Sequence, residues 1–218
     1  KEKIRRLKLF EKAFLNEKIK ITKVSNLKKI FKENKIKTSH ALNLLKAFKQ
    51  DAIKKRYKNW SELINYCKYS AVPVGRFVVD LHKETKISYK YSDPLCIALQ
   101  ILNHIQDCKK DYREIDRVYL PSTLLKKYKV NLSQLDNNYS EENLRLALNE
   151  ILFHTEKLII NANKFKKKMK NRKLYRETTF ILEIAKRLLK LLKKKDPLKE
   201  KVVLNKFDYL KCFAKAFF

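Results

Sequence analysis

Residues 95–111 read LCIALQILNHIQDCKKD, a stretch that combines an apolar helix pattern with regularly spaced polar side chains. On a helix of about 100° per residue, the polar members fall within an arc of roughly 100°. They are Gln100, Asn103, His104, Asp107 and Asp111. Because the remaining residues are almost all apolar, the pattern predicts a helix that is buried on most sides and carries one polar stripe.

The carboxylates of this stripe predict a metal site. Unpaired carboxylates in an apolar interior are costly and tend to protonate, so such a site needs cations or water. Mg²⁺ fits best, because it takes oxygen ligands and is usually held by one or two carboxylates together with substrate phosphates. Asp107 and Asp111 are one turn apart and can share such an ion. The alternative is a solvated face, in a chain whose charged fraction is 35%.

The stretch 100–121 ends in DRVYLP and resembles the second aspartate motif of the squalene/phytoene synthase family. Upstream, residues 66–76 read YCKYSAVPVGR and resemble a second segment of the same family. This segment, together with QDCKKDYR at 106–113, is most similar to the bacterial hydroxysqualene synthase branch. The likeness runs over nearly the whole chain.

The resemblance implies an all-α isoprenoid (terpenoid) synthase-type helical bundle with a central apolar cavity, with Mg²⁺ at its polar end. The metal ligands implied are Asp107 and Asp111, assisted by Asn103. The substrate-binding residues expected are Arg117, Arg56, Gln100, Asn103, Gly75 and Tyr119. Arg117 is favoured for the diphosphate because its planar donors suit phosphate oxygens, whereas Lys109 and Lys110 are interpreted as surface charges. His104 is interpreted as a hydrogen-bond donor behind the ligands.

Tyr69 is the catalytic tyrosine that the resemblance implies, and Tyr66 is the nearby alternative. A phenol there can steer a proton or stabilise a carbocation through its ring face. The implied reaction converts presqualene diphosphate to hydroxysqualene in squalene and hopanoid supply. Two alternatives stay open: head-to-head condensation of prenyl diphosphates to squalene or phytoene, and a noncatalytic binding or assembly module with the same fold.

Two departures from the family pattern matter. The first aspartate-rich motif is not found in residues 1–218, which indicates a fragment that lacks its N-terminal portion, or else a true loss of that half-site. A fragment of this kind is expected to be inactive on its own. In addition, Gln106 stands where many relatives carry arginine, which weakens one expected diphosphate contact.

Composition predicts one helical domain over residues 1–218, because the chain has only one glycine and four prolines and is 44% hydrophobic. Ser39 and Ser92 are the candidate helix caps, and Ser61 lies near the start of the third helix. Pro73 and Gly75 should break or kink the third helix, and Gly75 indicates a close neighbour, either an isoprenoid tail or simple packing. The apolar periodicity predicts six helices, near 4–16, 39–56, 60–82, 93–112, 141–166 and 173–195.

The net charge of +30 does not indicate a nucleic-acid partner, because lysine is spread along the whole chain and no binding signature accompanies it. A solvated surface is the first interpretation, and attraction to anionic lipid headgroups is the second. The expected location is cytoplasmic, with peripheral contact at the inner face of the membrane. The four cysteines show no paired spacing and are interpreted as reduced core residues. The oligomeric state is not indicated.

Overall fold

A computed structural model describes residues 2–165 and 169–217, which fold into an all-α bundle. Within these ranges the only β pairing is a single bridge between Arg56 and Val118. Two short 3-10 helices, Lys86–Ser88 and Leu132–Asp136, accompany the α-helices. The α-helices are α1 (Glu2–Leu15), α2 (Thr22–Glu33), α3 (Ser39–Asp51), α4 (Trp60–Ser70), α5 (Val72–Leu81), α6 (Tyr89–Gln106), α7 (Cys108–Ile115), α8 (Ser122–Lys127), α9 (Glu142–Phe165), α10 (Arg172–Lys194) and α11 (Lys206–Phe217).

Helix α6 is the centre of the bundle. It packs most extensively on α9 and also contacts α5 and α10. Ala98 and Leu102 of α6, and Leu148 and Ile151 of α9, are fully buried. The predicted burial of the helix that carries the aspartate motif is therefore confirmed, and so is the all-α fold class.

All six predicted helical segments are found, but several boundaries differ. The segment 39–56 ends at Asp51, and the segment 93–112 begins earlier, at Tyr89, and divides at Asp107. The end of the segment 141–166 lies outside the described residues. Helices α2, α8 and α11 were missed. Helix α8 is only six residues long, and the residues that α11 buries are Asp208 and Cys212.

The segment 60–82 divides at Ala71, whose φ and ψ of −120° and −47° separate α4 from α5. Pro73 lies in the first turn of α5, where its missing N–H is tolerated. The predicted break is therefore confirmed, and it falls two residues before the proline. Gly75 lies inside α5 and does not itself break the helix.

The position of Ser61 near a helix start is confirmed, whereas the two predicted caps are wrong. Asn59 caps α4 by accepting a hydrogen bond from the Glu62 N–H at 2.9 Å, and Ser61 lies in the first turn of that helix. Ser39 is the first residue of α3 and not its cap, and α6 begins before Ser92. Asparagine is as good a cap as serine, so composition alone could not distinguish these positions.

The loop after α3 and the loop after α7 are held together by backbone hydrogen bonds. The Val118 N–H donates to Lys55 O, and the Ser122 N–H donates to Tyr57 O, both at 2.9 Å. These contacts hold residues 55–57 beside residues 118–122, and α3 ends before them, at Asp51. No helix among the described residues has both the length and the apolarity that crossing a bilayer requires.

Candidate active site

The aspartate motif spans the junction between α6 and α7. Asp107 ends α6 with φ and ψ of −99° and 9°, and Cys108 begins α7. Hydrogen bonds still run through the junction, because the Asp107 N–H donates to Asn103 O at 2.9 Å and the Asp111 N–H donates to Asp107 O at 2.7 Å. The prediction of one uninterrupted helix is wrong, but the two aspartates remain one turn apart.

The polar stripe is less buried than the sequence indicated. His104 is buried, Gln100, Asp107 and Asp111 are half-buried, and Asn103 is exposed. The apolar residues around them close the inner side of the helix, and the outer side is partly exposed to solvent.

Asp111 lies in an environment that disfavours its charged form. Burial raises its pKa to about 6, with a further contribution from the negative charge of Asp107, whereas Arg117 acts in the opposite direction. Asp107 Oδ2 accepts a hydrogen bond from Asn103 Nδ2 at 2.6 Å. Two adjacent carboxylates with too little positive charge form a site that a cation stabilises.

The donor set suits a hard cation of the Mg²⁺ type. Asp107 and Asp111 supply carboxylate oxygens, and the amide oxygen of Asn103 lies one turn before Asp107. Across residues 2–165 and 169–217, no cluster of three or more histidine, cysteine or acidic side chains is placed to hold a metal. Two carboxylates with substrate phosphates and water are nevertheless a usual Mg²⁺ environment.

An aromatic cluster lies behind the motif. His104 stacks on Tyr119 with ring centroids 3.5 Å apart, and Tyr57 and Tyr66 contact Tyr119 at 5.4 and 5.5 Å. Burial and Arg117 lower the pKa of His104 to about 3, so its imidazole is neutral. The neutral ring accepts a hydrogen bond at Nε2 from the side chain of Gln100 at 3.2 Å. In this contact His104 is an acceptor and not the donor that the sequence suggested.

Arg117 joins the cluster to the motif. Its backbone N–H donates to Asp111 O at 2.9 Å, and its Nη1 donates to the Tyr119 hydroxyl at 3.0 Å. Its Nη2 donates to Asp51 O, and its Nη1 lies 3.8 Å from Asp51 Oδ1. The guanidinium is therefore held in place by the fold, within electrostatic reach of Asp111.

Arg56 is held in the adjacent loop. Its guanidinium donates to both the backbone oxygen and the carboxylate of Asp116, and Lys55 Nζ donates to the same carboxylate at 2.8 Å. These two cations lower the pKa of Asp116 to about 2. Asp116 adopts the left-handed conformation, with φ of 48°, so Arg56 stabilises the turn that leads to Arg117.

The two candidate tyrosines occupy different environments. Tyr66 is 2% exposed, and burial raises the pKa of its phenol. Tyr69 is partly exposed, with Lys46 Nζ 3.9 Å from its ring centroid, and the hydrogen bond from Lys46 lowers the pKa of its phenol. Tyr69 is therefore accessible to a ligand, whereas Tyr66 belongs to the aromatic cluster.

Gly75 is explained by helix packing. A Cβ at this position would overlap Cys96 Sγ and Ser92 Oγ of α6. The same glycine lines an apolar groove of about 230 Å³ between α5, α6 and α10, whose walls include Val78 and Leu99. Contact of Gly75 with a substrate stays a prediction, because packing alone accounts for the missing side chain.

Three residues near the motif have roles that the sequence did not reveal. Asp51 supplies the acidic partner of Arg117, from 66 positions upstream. Gln106 Nε2 donates to Val202 O at 2.5 Å, so it secures the segment before α11. Lys109 Nζ donates to Asn137 O at 2.8 Å and also contacts Leu198 O at 3.3 Å. The interpretation of Lys109 as a surface charge is therefore wrong, whereas Lys110 is exposed as expected.

The predicted core position is confirmed for three of the four cysteines. All four cysteines are free, and Cys67, Cys108 and Cys212 are buried while Cys96 is half-buried. Burial raises the pKa of the Cys67 and Cys108 thiols to about 12, so both are neutral at physiological pH.

Solved structures with the same arrangement of helices define the class of fold. The structure superposes on the squalene synthase HpnC from Alicyclobacillus acidocaldarius with a TM-score of 0.74 and 22% identity, over 88% of this chain and 70% of that one. It superposes on a dehydrosqualene synthase with a TM-score of 0.81 and 18% identity, over 98% of this chain and 76% of that one. The fold is therefore the isoprenoid synthase-type helical bundle.

Sequence comparison identifies the family within this fold class. The chain belongs to the squalene/phytoene synthase family, whose sequence model matches residues 10–208. It is 40% identical to the hydroxysqualene synthase of Zymomonas mobilis over 155 residues, which cover 71% of this chain and 52% of that protein. It is 38% identical to the hydroxysqualene synthase of Sinorhizobium fredii over 157 residues, which cover 72% and 54%. The chain spans about half the length of the curated relatives it matches.

Proposed function

We propose that this protein acts on a prenyl diphosphate with the help of Mg²⁺, and that it converts presqualene diphosphate to hydroxysqualene. The observation that carries the proposal is the pair of Asp107 and Asp111, one turn apart, with Asp111 short of compensating positive charge. Membership of the squalene/phytoene synthase family and the likeness to hydroxysqualene synthases support this substrate class.

Asp107 and Asp111 would hold the metal, assisted by the amide oxygen of Asn103. When bound, Mg²⁺ supplies positive charge that stabilises a departing diphosphate. The chain provides the rest of the polar end. Asn103 orients Asp107 through its hydrogen bond of 2.6 Å, and Gln100 fixes the neutral ring of His104.

Arg117 is the proposed diphosphate-binding cation of this chain. Its Nη1 and Nη2 are engaged by Tyr119 and Asp51, whereas its Nε has no hydrogen-bond partner among the described residues. Preorganised positive charge stabilises charge that develops on a leaving group. Arg56 contributes by holding the turn at Asp116, and Tyr119 contributes by holding both Arg117 and His104.

Tyr69 is the proposed catalytic tyrosine. It is accessible, and Lys46 lowers the pKa of its phenol, which makes the hydroxyl a better proton donor. Tyr66 is placed to support the ring cluster behind it. The apolar groove beside Gly75 is the proposed site for the hydrocarbon, because an apolar wall excludes water from a carbocation until it is captured.

Product analysis tests the proposal. The complete translated protein is incubated with Mg²⁺ and presqualene diphosphate, or with Mg²⁺ and farnesyl diphosphate, and the extracts are examined by mass spectrometry. Hydroxysqualene from presqualene diphosphate is the expected product. Squalene or phytoene from farnesyl diphosphate would replace the proposed reaction with head-to-head condensation. A folded protein that yields no product from either substrate would favour a noncatalytic module.

A further inference from the structure

Helix α11 carries its large apolar side chains on the face that points away from the protein. Phe207 is 75% exposed and Leu210 is 64% exposed, while Phe213, at the edge of this face, is 43% exposed and its ring centroid lies 6.1 Å from that of Phe180 in α10. The buried residues of the helix are Asp208 and Cys212. At 100° per residue, the three exposed side chains share an arc of about 120°, opposite the face that packs on α10. The usual polarity of a surface helix is thus reversed.

Specific polar contacts fix this orientation. Asp208 Oδ1 accepts a hydrogen bond from Arg187 Nε of α10 at 2.6 Å, and the carboxylate is almost fully buried. The Asp208 N–H donates to Asn205 Oδ1 at 2.9 Å, while the Asn205 N–H donates back to Asp208 Oδ2 at 3.2 Å. Rotating α11 to bury Phe207 and Leu210 would break these bonds and leave a buried carboxylate unpaired, which is costly. The apolar face is therefore a stable part of the fold.

Positive charge borders this face. Lys206, Lys211 and Lys215 lie on the same helix, and a groove of about 480 Å³ separates part of α11 from α10. Five cationic side chains and two carboxylates line the groove: Lys186, Arg187, Lys190, Lys211, Lys215, Glu183 and Asp208. Within the part of the chain that the structure describes, Lys190 and Lys211 have no ion-pair partner, so their charge is available to an external anion.

We propose that α11 docks the protein on the surface of an anionic lipid bilayer. Phe207, Leu210 and Phe213 would enter the interfacial region, and the bordering lysines would contact lipid phosphates. The charge pattern favours this occupant over a second copy of the chain, because two copies with a net charge of +30 each repel one another. A bilayer with anionic headgroups supplies both the apolar phase and the negative charge that the surface lacks.

Vesicle co-sedimentation tests the proposal with the full chain. Vesicles of phosphatidylcholine that contain about 30% phosphatidylglycerol are compared with vesicles of phosphatidylcholine alone. The chain is expected to bind the anionic vesicles, and the double variant Phe207→Ser/Leu210→Ser is expected to bind at least about tenfold more weakly. The matched control is Leu15→Ser/Phe153→Ser, which removes apolar side chains that are 70% and 51% exposed elsewhere, and its binding should be unchanged.

A second pair of variants tests the charge component. Lys190→Gln/Lys211→Gln should weaken binding to the anionic vesicles more than Lys8→Gln/Lys18→Gln, which removes the same charge from exposed sites elsewhere. Failure of the wild-type chain to bind anionic vesicles would overturn the proposal, and so would equal binding by the Phe207/Leu210 variant. Self-association that depends on α11 and occurs without vesicle binding would replace the lipid surface with a second copy of the chain.

A tryptophan reporter provides an independent readout. In Phe207→Trp, the emission should shift to the blue when anionic vesicles are added, because the indole moves from water into the interface. Leu15→Trp, at a site of similar exposure in α1, should show no shift. Equal shifts in both variants would show that binding is not localised to α11.

Discussion

Arg117 Nη1 lies 3.8 Å from Asp51 Oδ1, and this ion pair joins the end of α3 to the loop after α7. Among the described residues, Asp51 Oδ1 and Arg117 Nε are buried atoms without a hydrogen-bond partner. Such atoms are expensive in a protein interior unless a ligand or water satisfies them. The pair therefore leaves two buried polar atoms without hydrogen bonds beside the aspartate motif, and this lowers the stability of the protein without its ligand.

Removal of the Asp51 charge should destabilise the protein. We expect Asp51→Asn to lower the free energy of unfolding by about 2 kcal/mol, because Arg117 would keep its charge without an acidic partner. Urea denaturation of Asp51→Asn, Arg117→Gln and the double variant gives the coupling, which should be about 1 kcal/mol. Strictly additive effects of the two single substitutions would show that the pair does not interact.

Metal binding should weaken in acid. The pKa of Asp111 is raised to about 6, so its carboxylate is protonated, and loses its affinity for a cation, as the pH falls through that value. Calorimetric titration with Mg²⁺ between pH 5 and pH 7 should show this loss. Removal of the neighbouring charge in Asp107→Asn should lower the pKa of Asp111, and an NMR titration in which that pKa does not move would contradict the coupling.

The raised pKa of Asp111 also changes how folding stability depends on pH, in the direction opposite to that of most carboxylates. Because the pKa of Asp111 is higher in the folded protein than the ordinary 3.8, folding is favoured by protonation, and this contribution is lost as the pH rises through about 6. Without Mg²⁺ at pH 7, Asp111→Asn should therefore stabilise the protein by roughly 1 kcal/mol, after allowance for solvent screening of the half-exposed group. Thermal unfolding at pH 5 and pH 7 measures the effect, and equal stabilisation at both values would refute it.

Tyr69→Phe should reduce kcat by about 100-fold and leave KM nearly unchanged, since the ring is kept and only the phenolic proton is lost. Steady-state kinetics with presqualene diphosphate separates the two parameters. Tyr66→Phe is the comparison. It removes a buried hydroxyl that contacts Tyr119 and should lower stability by about 1 kcal/mol. An unchanged kcat in Tyr69→Phe would move the catalytic role to Tyr66.

Gly75→Ala should destabilise the protein, although alanine is the better helix former. The added Cβ overlaps Cys96 Sγ and Ser92 Oγ, and overpacking of this kind costs about 1 to 3 kcal/mol. Denaturant unfolding should show a loss that the further substitutions Cys96→Ala and Ser92→Ala recover. The cost of Gly75→Ala is therefore measured in the wild type and again in the Cys96→Ala/Ser92→Ala background. An equal cost in both would show that the overlap is not the cause.

Lys109 and Lys110 should respond differently to the same substitution. Lys109→Met loses hydrogen bonds to Asn137 O and Leu198 O and should cost about 1 to 2 kcal/mol, because two carbonyls lose a charged donor. Lys110→Met changes an exposed side chain and should be within about 0.5 kcal/mol of the wild type. Equal melting temperatures for the two variants would argue against a structural role for Lys109.

The sequence predicted those features that depend on local periodicity. The apolar pattern around residues 95–105 is strong enough to place a buried helix, and the spacing of Asp107 and Asp111 is set by the helical turn. It could not predict that the chain breaks at Asp107, because a junction of two helices with continuous hydrogen bonding leaves the spacing of side chains nearly unchanged.

Partnerships between distant residues escaped prediction for a different reason. Asp51 meets Arg117 only because Lys55 and Val118 align the two loops, and no local pattern encodes that alignment. Helix α11 was missed although Phe207, Leu210 and Phe213 recur at helical spacing, and the structure shows that its buried residues are Asp208 and Cys212. Which of its two faces packs on the protein is visible only when the position of α10 is known.

Because one helix ends at Asp107 and the next begins at Cys108, the two candidate metal ligands are supported by different helices. Asp107 ends α6, which the core encloses. Asp111 lies on α7, and this helix contacts the turn around residues 132–138 through hydrogen bonds from Arg113 and Lys109. Substitutions in that turn can therefore change the separation of the two carboxylates while the core stays unchanged.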